Sequence, residues 1–142
     1  MRKLKVRDWD EKRKEMFIPY AGYLPKGVTR KRDFFIGFNN TGLEVSEYEG
    51  KGYWRVMPIM LFTRLIDKAG IQVFAADILQ VPHDDGWFYL KVAYDEEYAR
   101  FWFIDEADGD HCYSPDEFDI EEILVVGNIY ANPELLQVEE AI

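Results

Sequence analysis

The residues best equipped for chemistry stand together in the run Asp105-Glu106-Ala107-Asp108-Gly109-Asp110-His111-Cys112. Counted from Glu106, oxygen-bearing side chains recur at Asp108, Asp110, Ser114 and Glu117. That spacing imitates a calcium loop, with Asp108, Asp110 and Glu117 as its carboxylates. His111 stands where such a loop needs a glycine for its sharp turn, and no amphipathic helices flank the segment. A solvated acidic loop explains the same residues, so a metal site or an enzyme at 105–117 is the lesser alternative. His111 and Cys112 offer a base and a thiol, but consecutive side chains of an extended segment point to opposite sides. The other histidine, His83, sits in a distant connection, and a lone cysteine near aromatics is more often packing than nucleophile. The reading is a protein that is not an enzyme and carries no cofactor.

A second chemistry is phosphate recognition. Lys12-Arg13-Lys14 and Arg30-Lys31-Arg32 are basic clusters, and the latter leads into Phe34, Phe35 and Phe38. Cations interleaved with aromatics bind single strands by charge and stacking. Charge is also lopsided along the chain. Residues 1–71 carry 15 Lys and Arg against 9 Asp and Glu, a balance of +6, whereas residues 72–142 carry 2 against 18, a balance of −16. Together they make the net −10. Yet the pI is about 4.7 and no RNA-binding signature is present. The simpler expectation is that the two halves interleave and neutralise each other. Nucleic-acid binding through Arg30, Lys31, Arg32, Lys12, Arg13 and Lys14 is therefore the alternative. The acidic surplus also suits a chain that mimics DNA in the cleft of a DNA-binding protein.

These groups need a scaffold, and the pattern predicts a mainly β one. At 142 residues, 48% hydrophobic and 16% aromatic, the chain is the size of one folded domain. We read it as a single domain over 1–142, with a basic subregion at 1–58 and the core at 59–142. The stretch 60–81 is central. Two mostly apolar runs, 61–66 and 71–74, are hinged by Asp67-Lys68-Ala69-Gly70, where Asp starts a turn and Gly supplies a positive φ. Asp77 and a further apolar run, Ile78-Leu79-Gln80-Val81, follow after two small residues. Glu47–Gly52 reads as a polar turn. Runs 87–94 and 98–104, joined by Asp95-Glu96-Glu97, form the clearest hairpin, with Arg100 and Phe101 on opposite faces. Ser114-Pro115-Asp116-Glu117 predicts a capped short helix, and Asn132-Pro133-Glu134 a last helical turn. No apolar run approaches the roughly 20 residues that cross a bilayer, and no signal-peptide core follows the basic start. With one cysteine, the expectation is a cytoplasmic protein.

Three motifs then resemble one family. Thr63, Leu65-Ile66-Asp67-Lys68-Ala69-Gly70, Val73-Phe74 and Asp77-Ile78 resemble the core signature of the YopX-like family of phage and prophage proteins. Arg7-Asp8-Trp9-Asp10 followed by Met16 is similar to its opening Arg-x-Trp-Asp…Met motif. Val125-Val126-Gly127-Asn128-Ile129-Tyr130-Ala131-Asn132-Pro133-Glu134-Leu135-Leu136 resembles its closing signature almost residue for residue. There are departures: Arg64 and Ala76 stand where the family tends to have Gly, and Ile71 where a Lys is usual. The resemblance implies a small SH3-like barrel with additional strands and hairpins and short helices near the C-terminus. It implies no established activity. Trp9, Asp67, Gly70, Asp77, Ile78, Gly127, Asn128, Ile129, Tyr130, Asn132, Pro133, Glu134 and Leu135 read as turn, cap or core residues of that fold. The function expected is an accessory protein that works by binding. Its first partner is a second copy of itself, held by aromatic surface and the C-terminal segment, and a host or phage protein is a further partner.

Overall fold

The computed structural model describes residues 6–17, 34–39, 42–84 and 86–136, and only the backbone of 17, 34–39, 42–44 and 83. The chain forms two compact units, Met1–Leu61 and Phe62–Ile142. They divide inside one strand.

In the first unit, β1 (Val6–Asp10) and β2 (Glu15–Phe17) make a hairpin around a charged turn, and β1 also pairs with the start of β6 (Ile59–Ile66). A three-stranded meander follows: β3 (Phe34–Asn39), β4 (Gly42–Gly50) and β5 (Tyr53–Met57). Directly opposed residues of antiparallel strands share a face. Val45↔Met57 and Glu47↔Arg55 therefore lie on one side of the meander, Ser46↔Val56 and Tyr48↔Trp54 on the other. Val45 and Met57 are buried and Ile59 packs on them. The expected polar turn at 47–52 is corrected to a narrower one. Glu47, Tyr48 and Glu49 belong to β4, and only Lys51-Gly52 turns, with Gly50, Lys51 and Gly52 all at positive φ. Arginines that neutralise Glu47 explain how an acid stays in the strand, as shown below.

In the second unit, β6 continues into β7 (Gln72–Phe74), and β8 (Asp77–His83), β9 (Gly86–Asp95), β10 (Arg100–Asp105), β11 (His111–Tyr113) and β12 (Leu124–Asn128) form an antiparallel sheet in the order β11-β10-β9-β8-β12. The period-2 pattern places Leu79 opposite Leu90, and Val92 opposite Phe103, on one face. With Val73, Val81 and Ile123 they make the core, and Phe88, Phe101, Tyr113 and Phe118 pack against it. The chain is mainly β, and this sheet curls into a half-barrel. The 87–104 hairpin forms as expected, except that its turn extends to Ala99, so Tyr98 lies outside the strand. The predicted helices are single 3-10 turns, Pro115–Glu117 and Pro133–Leu136. Among the described residues, no helix is long and apolar enough to cross a membrane.

Candidate functional site

Among the described residues of the first unit, charge concentrates around the signature residue Asp10. β1 ends there, and its Oδ1 accepts the backbone N–H groups of Lys12 and Arg13, both at 3.1 Å, which shapes the turn into β2. That turn swings the Arg13 guanidinium back so that Nη1 donates to Asp10 Oδ2 at 2.7 Å. The same guanidinium grips Glu47 of β4 with two hydrogen bonds, Nη1 to Oε1 at 2.8 Å and Nη2 to Oε2 at 2.7 Å. Arg55, opposite Glu47 on β5, donates from Nη2 to Glu47 Oε1 at 2.6 Å and from Nε to Glu49 Oε1 at 2.7 Å. It also lies 3.2 Å from Asp10 Oδ1. Lys12 closes the chain on Glu49 at 3.0 Å.

The electrostatics follow from these contacts. Burial pushes the Asp10 carboxyl up, but hydrogen bonds from the Arg13 side chain and backbone, with the charges of Arg55 and Arg13, more than offset it and hold the group below its ordinary value. The bidentate Arg13 lowers Glu47 against the opposing effect of burial, and Arg55 adds to it. Arg55 and then Lys12 lower Glu49. All three carboxylates stay ionised.

Two residues before Asp10, on the same face of β1, Asp8 has a different fate. It is fully buried, and among the described residues neither carboxyl oxygen has a hydrogen-bond partner. Burial pushes its pKa up to about 7.

This geometry bears on the basic residues expected to meet nucleic acid. Arg13 is committed to Asp10 and Glu47, Lys12 to Glu49, and Lys14 to Glu11. The described turn is a neutralised cluster and not an open cationic patch. Arg30, Lys31 and Arg32 lie outside the described residues. Sequence reasoning missed Glu47, Glu49 and Arg55. The available signal was alternation: Glu47 stands two residues after Val45, as Arg55 stands two before Met57.

The acidic run in the second unit is held by its own backbone. Asp105 accepts from the Ala107 N–H at 3.1 Å, Glu106 pairs with Lys91, and Glu117 accepts from the Ser114 N–H at 2.6 Å, the expected capping contact. Asp108 and Asp110 are exposed. Among the described residues no group of three or more His, Cys, Asp or Glu gathers to hold a metal, so the structure does not bring Asp108, Asp110 and Glu117 together. His111 leans on the Tyr113 ring, and Cys112 is exposed with its Sγ toward the Asp110 carbonyl.

The remaining signature residues build turns. Asp67 is buried; its Oδ1 accepts the N–H groups of Ala69 and Ile71, both at 2.8 Å, and its Oδ2 accepts from Val125 of β12 at 2.9 Å. Gly70 has φ 83, which completes that turn. Asp77 accepts from the Phe74 N–H at 2.7 Å, fixing the bend into β8, where Ile78 is fully buried. Asn128 Oδ1 accepts from Tyr130 and Ala131, and Asn132 Oδ1 accepts back from the Asn128 N–H. The Asn132 side chain lies where a Cβ on Gly127 would come within 2.5 Å of it, so only glycine fits. Ile129, Pro133 and Leu136 line a shallow groove with Lys91 and Glu106, and Glu134 and Leu135 complete the 3-10 turn beside it.

The family model described as YopX protein matches residues 5–137. The chain belongs to the YopX family. No curated protein matches it. Among solved structures, that of protein EF1440 from Enterococcus faecalis is 26% identical, covers 96% of this chain and 100% of its own, and superposes with a TM-score of 0.54. That of protein yopX from Bacillus subtilis, 14% identical, covers 94% of this chain and 98% of its own with a TM-score of 0.54, and shares the fold. Membership gives the two departures a physical meaning. Arg64 and Ala76, at positions where the family tends to have Gly, have φ 74 and 75. At both positions this chain carries a side chain at positive φ, where glycine is the least strained residue.

Proposed function

We propose that this YopX protein is a phage- or prophage-encoded accessory protein that acts by binding and not by catalysis, and that its first partner is a second copy of itself. The observation that carries this reading is the outer face of the β4–β5 hairpin. Tyr48, Trp54 and Val56 stand there 40%, 48% and 60% exposed, with Tyr53 at the strand start 71% exposed. The Tyr48 and Trp54 rings meet across the strands in a tilted pair with centroids 5.1 Å apart. On the opposite face of the hairpin Glu47 and Arg55 are paired with each other and with Arg13. In the meander β5 is an edge strand, and its five residues carry only Arg55 as a charge, itself turned inward. Edge strands without outward charge pair with their like, and a two-fold axis through β5 brings Trp54 and Val56 of both copies together. A host or phage protein is a further partner under the same reading.

Replacing Trp54 by Glu on this face tests it. The wild type is expected to sediment as a dimer and the W54E variant as a folded monomer. A wild type that stays strictly monomeric at high concentration, or an unchanged size for W54E, would reject the reading.

A further inference from the structure

Asp8 has no part in the self-association face, and its surroundings suit a different task. It lies on β1 between Val6 and Asp10, with Ile59 of β6 and Phe17 of β2 opposite it in register. Ile59, opposite it, packs on buried Val45 and Met57, and Asp10, two residues along the same face, centres the ionic cluster. Charged groups reach that face from several elements: Asp10 on β1, Arg13 from the turn, Glu15 opposite Asp10 on β2, Glu47 from β4 and Arg55 from β5. β6 contributes the apolar Ile59. The two arginines are already bonded to Asp10, Glu47 and Glu49, so Asp8 stands fully buried with both oxygens unpartnered among the described residues.

A neutral carboxyl tolerates such a place far better than a carboxylate, because an isolated charge in an apolar interior must recover its lost hydration. We propose that Asp8 is a proton-operated switch in the first unit: the packing of β1 against β5 holds while its carboxyl carries a proton and loosens when the proton leaves. Once ionised, the group calls for water between the strands or for the charge of Arg13 or Arg55, which are held by Asp10 and Glu47. Drawing Arg55 toward Asp8 weakens its contact with Asp10, which joins β1 to β5, and drawing Arg13 weakens the Asp10–Arg13–Glu47 link between β1 and β4. The burial-raised Asp8 pKa of about 7 places the change near neutral pH.

The test follows the Asp8 carboxyl by carbon-13 NMR in the full chain and, in parallel, hydrogen exchange of the β1 and β5 amides from about pH 5 to about pH 8. The expected result is an Asp8 titration near neutrality. With the same midpoint, β1 and β5 protection should fall by roughly tenfold after correction for intrinsic exchange. The Asp8→Asn variant, which cannot ionise, is expected to keep its protection flat across that range. An Asp8 titrating in the ordinary carboxylate range overturns the proposal, as does protection that is flat in the wild type or equally pH-dependent in Asp8→Asn. Should Asp8→Asn fail to fold, the two wild-type measurements still decide.

Discussion

Arg64 and Ala76 sit at φ 74 and 75, a region where a Cβ crowds the following carbonyl. Glycine relieves that crowding at the cost of a more flexible unfolded chain, and the balance favours glycine when φ is positive. Arg64→Gly and Ala76→Gly are each expected to stabilise the protein by about 1 kcal/mol, read as a higher urea midpoint with an unchanged slope. Gly127 presents the opposite case. Its φ is ordinary, but a Cβ there would meet the Asn132 side chain at 2.5 Å from Oδ1 and 2.9 Å from Cβ. Gly127→Ala is expected to cost about 1–3 kcal/mol, and Asn132→Ala in the same chain to recover part of it, as a double-mutant cycle in urea would show. These residues were legible as a signature but not as a mechanism. The order Gly127-Asn128…Asn132-Pro133 announces a turn, whereas the contact between residues five apart exists only once the turn has closed.

At the scale of elements, alternation and turn chemistry were enough for most strands. Leu79 and Val81 opposite Leu90 and Phe88 follow the period of two, and Asp67 with Gly70 gave the β6–β7 turn. What alternation could not supply was partnership across sequence distance. Glu47 reads as a turn residue until Arg13, 34 positions away, neutralises it. The network makes two predictions. Arg13→Ala strands Asp10 and Glu47 as buried, partly uncompensated charges, and is expected to lower unfolding stability by roughly 3–5 kcal/mol in denaturant titration. The pH dependence should carry two opposite limbs. Asp10 and Glu47 have depressed folded pKa values, so their contribution is present above the unfolded carboxylate range and is lost as pH falls through their folded values. Asp8 is raised from 3.8 to about 7, so the folded state holds the extra proton between those values and stability falls as pH rises through that window. At roughly 1.4 kcal/mol per unit the Asp8 limb amounts to about 4 kcal/mol at most. Urea midpoints against pH are expected to peak in the mildly acidic range; a curve that keeps rising to neutrality would contradict the Asp8 assignment.

For the molecule as a whole, charge separates with the two compact units. Met1–Leu61 holds 13 Lys and Arg against 8 Asp and Glu, a balance of +5, while Phe62–Ile142 holds 4 against 19, a balance of −15. The described cations of the first unit's turn and of β5 are spent on its own carboxylates, so its character on the β4–β5 face is set by aromatics and not by charge. Sequence composition announced sticky aromatic surface; only the register Tyr48↔Trp54 and Ser46↔Val56 shows which side of the meander carries it. An apolar face of this kind predicts an association that persists in high salt, since screening weakens ion pairs but not apolar contacts.

The most direct measurement is hydrogen exchange of the β5 amides at low and high protein concentration, at fixed pH. If β5 pairs with its own copy, amides on its free edge are expected to gain protection as concentration rises, in the wild type and not in Trp54→Glu, while core amides of β8 and β9 stay unchanged. Equal β5 exchange across the whole concentration range would contradict self-association through this strand.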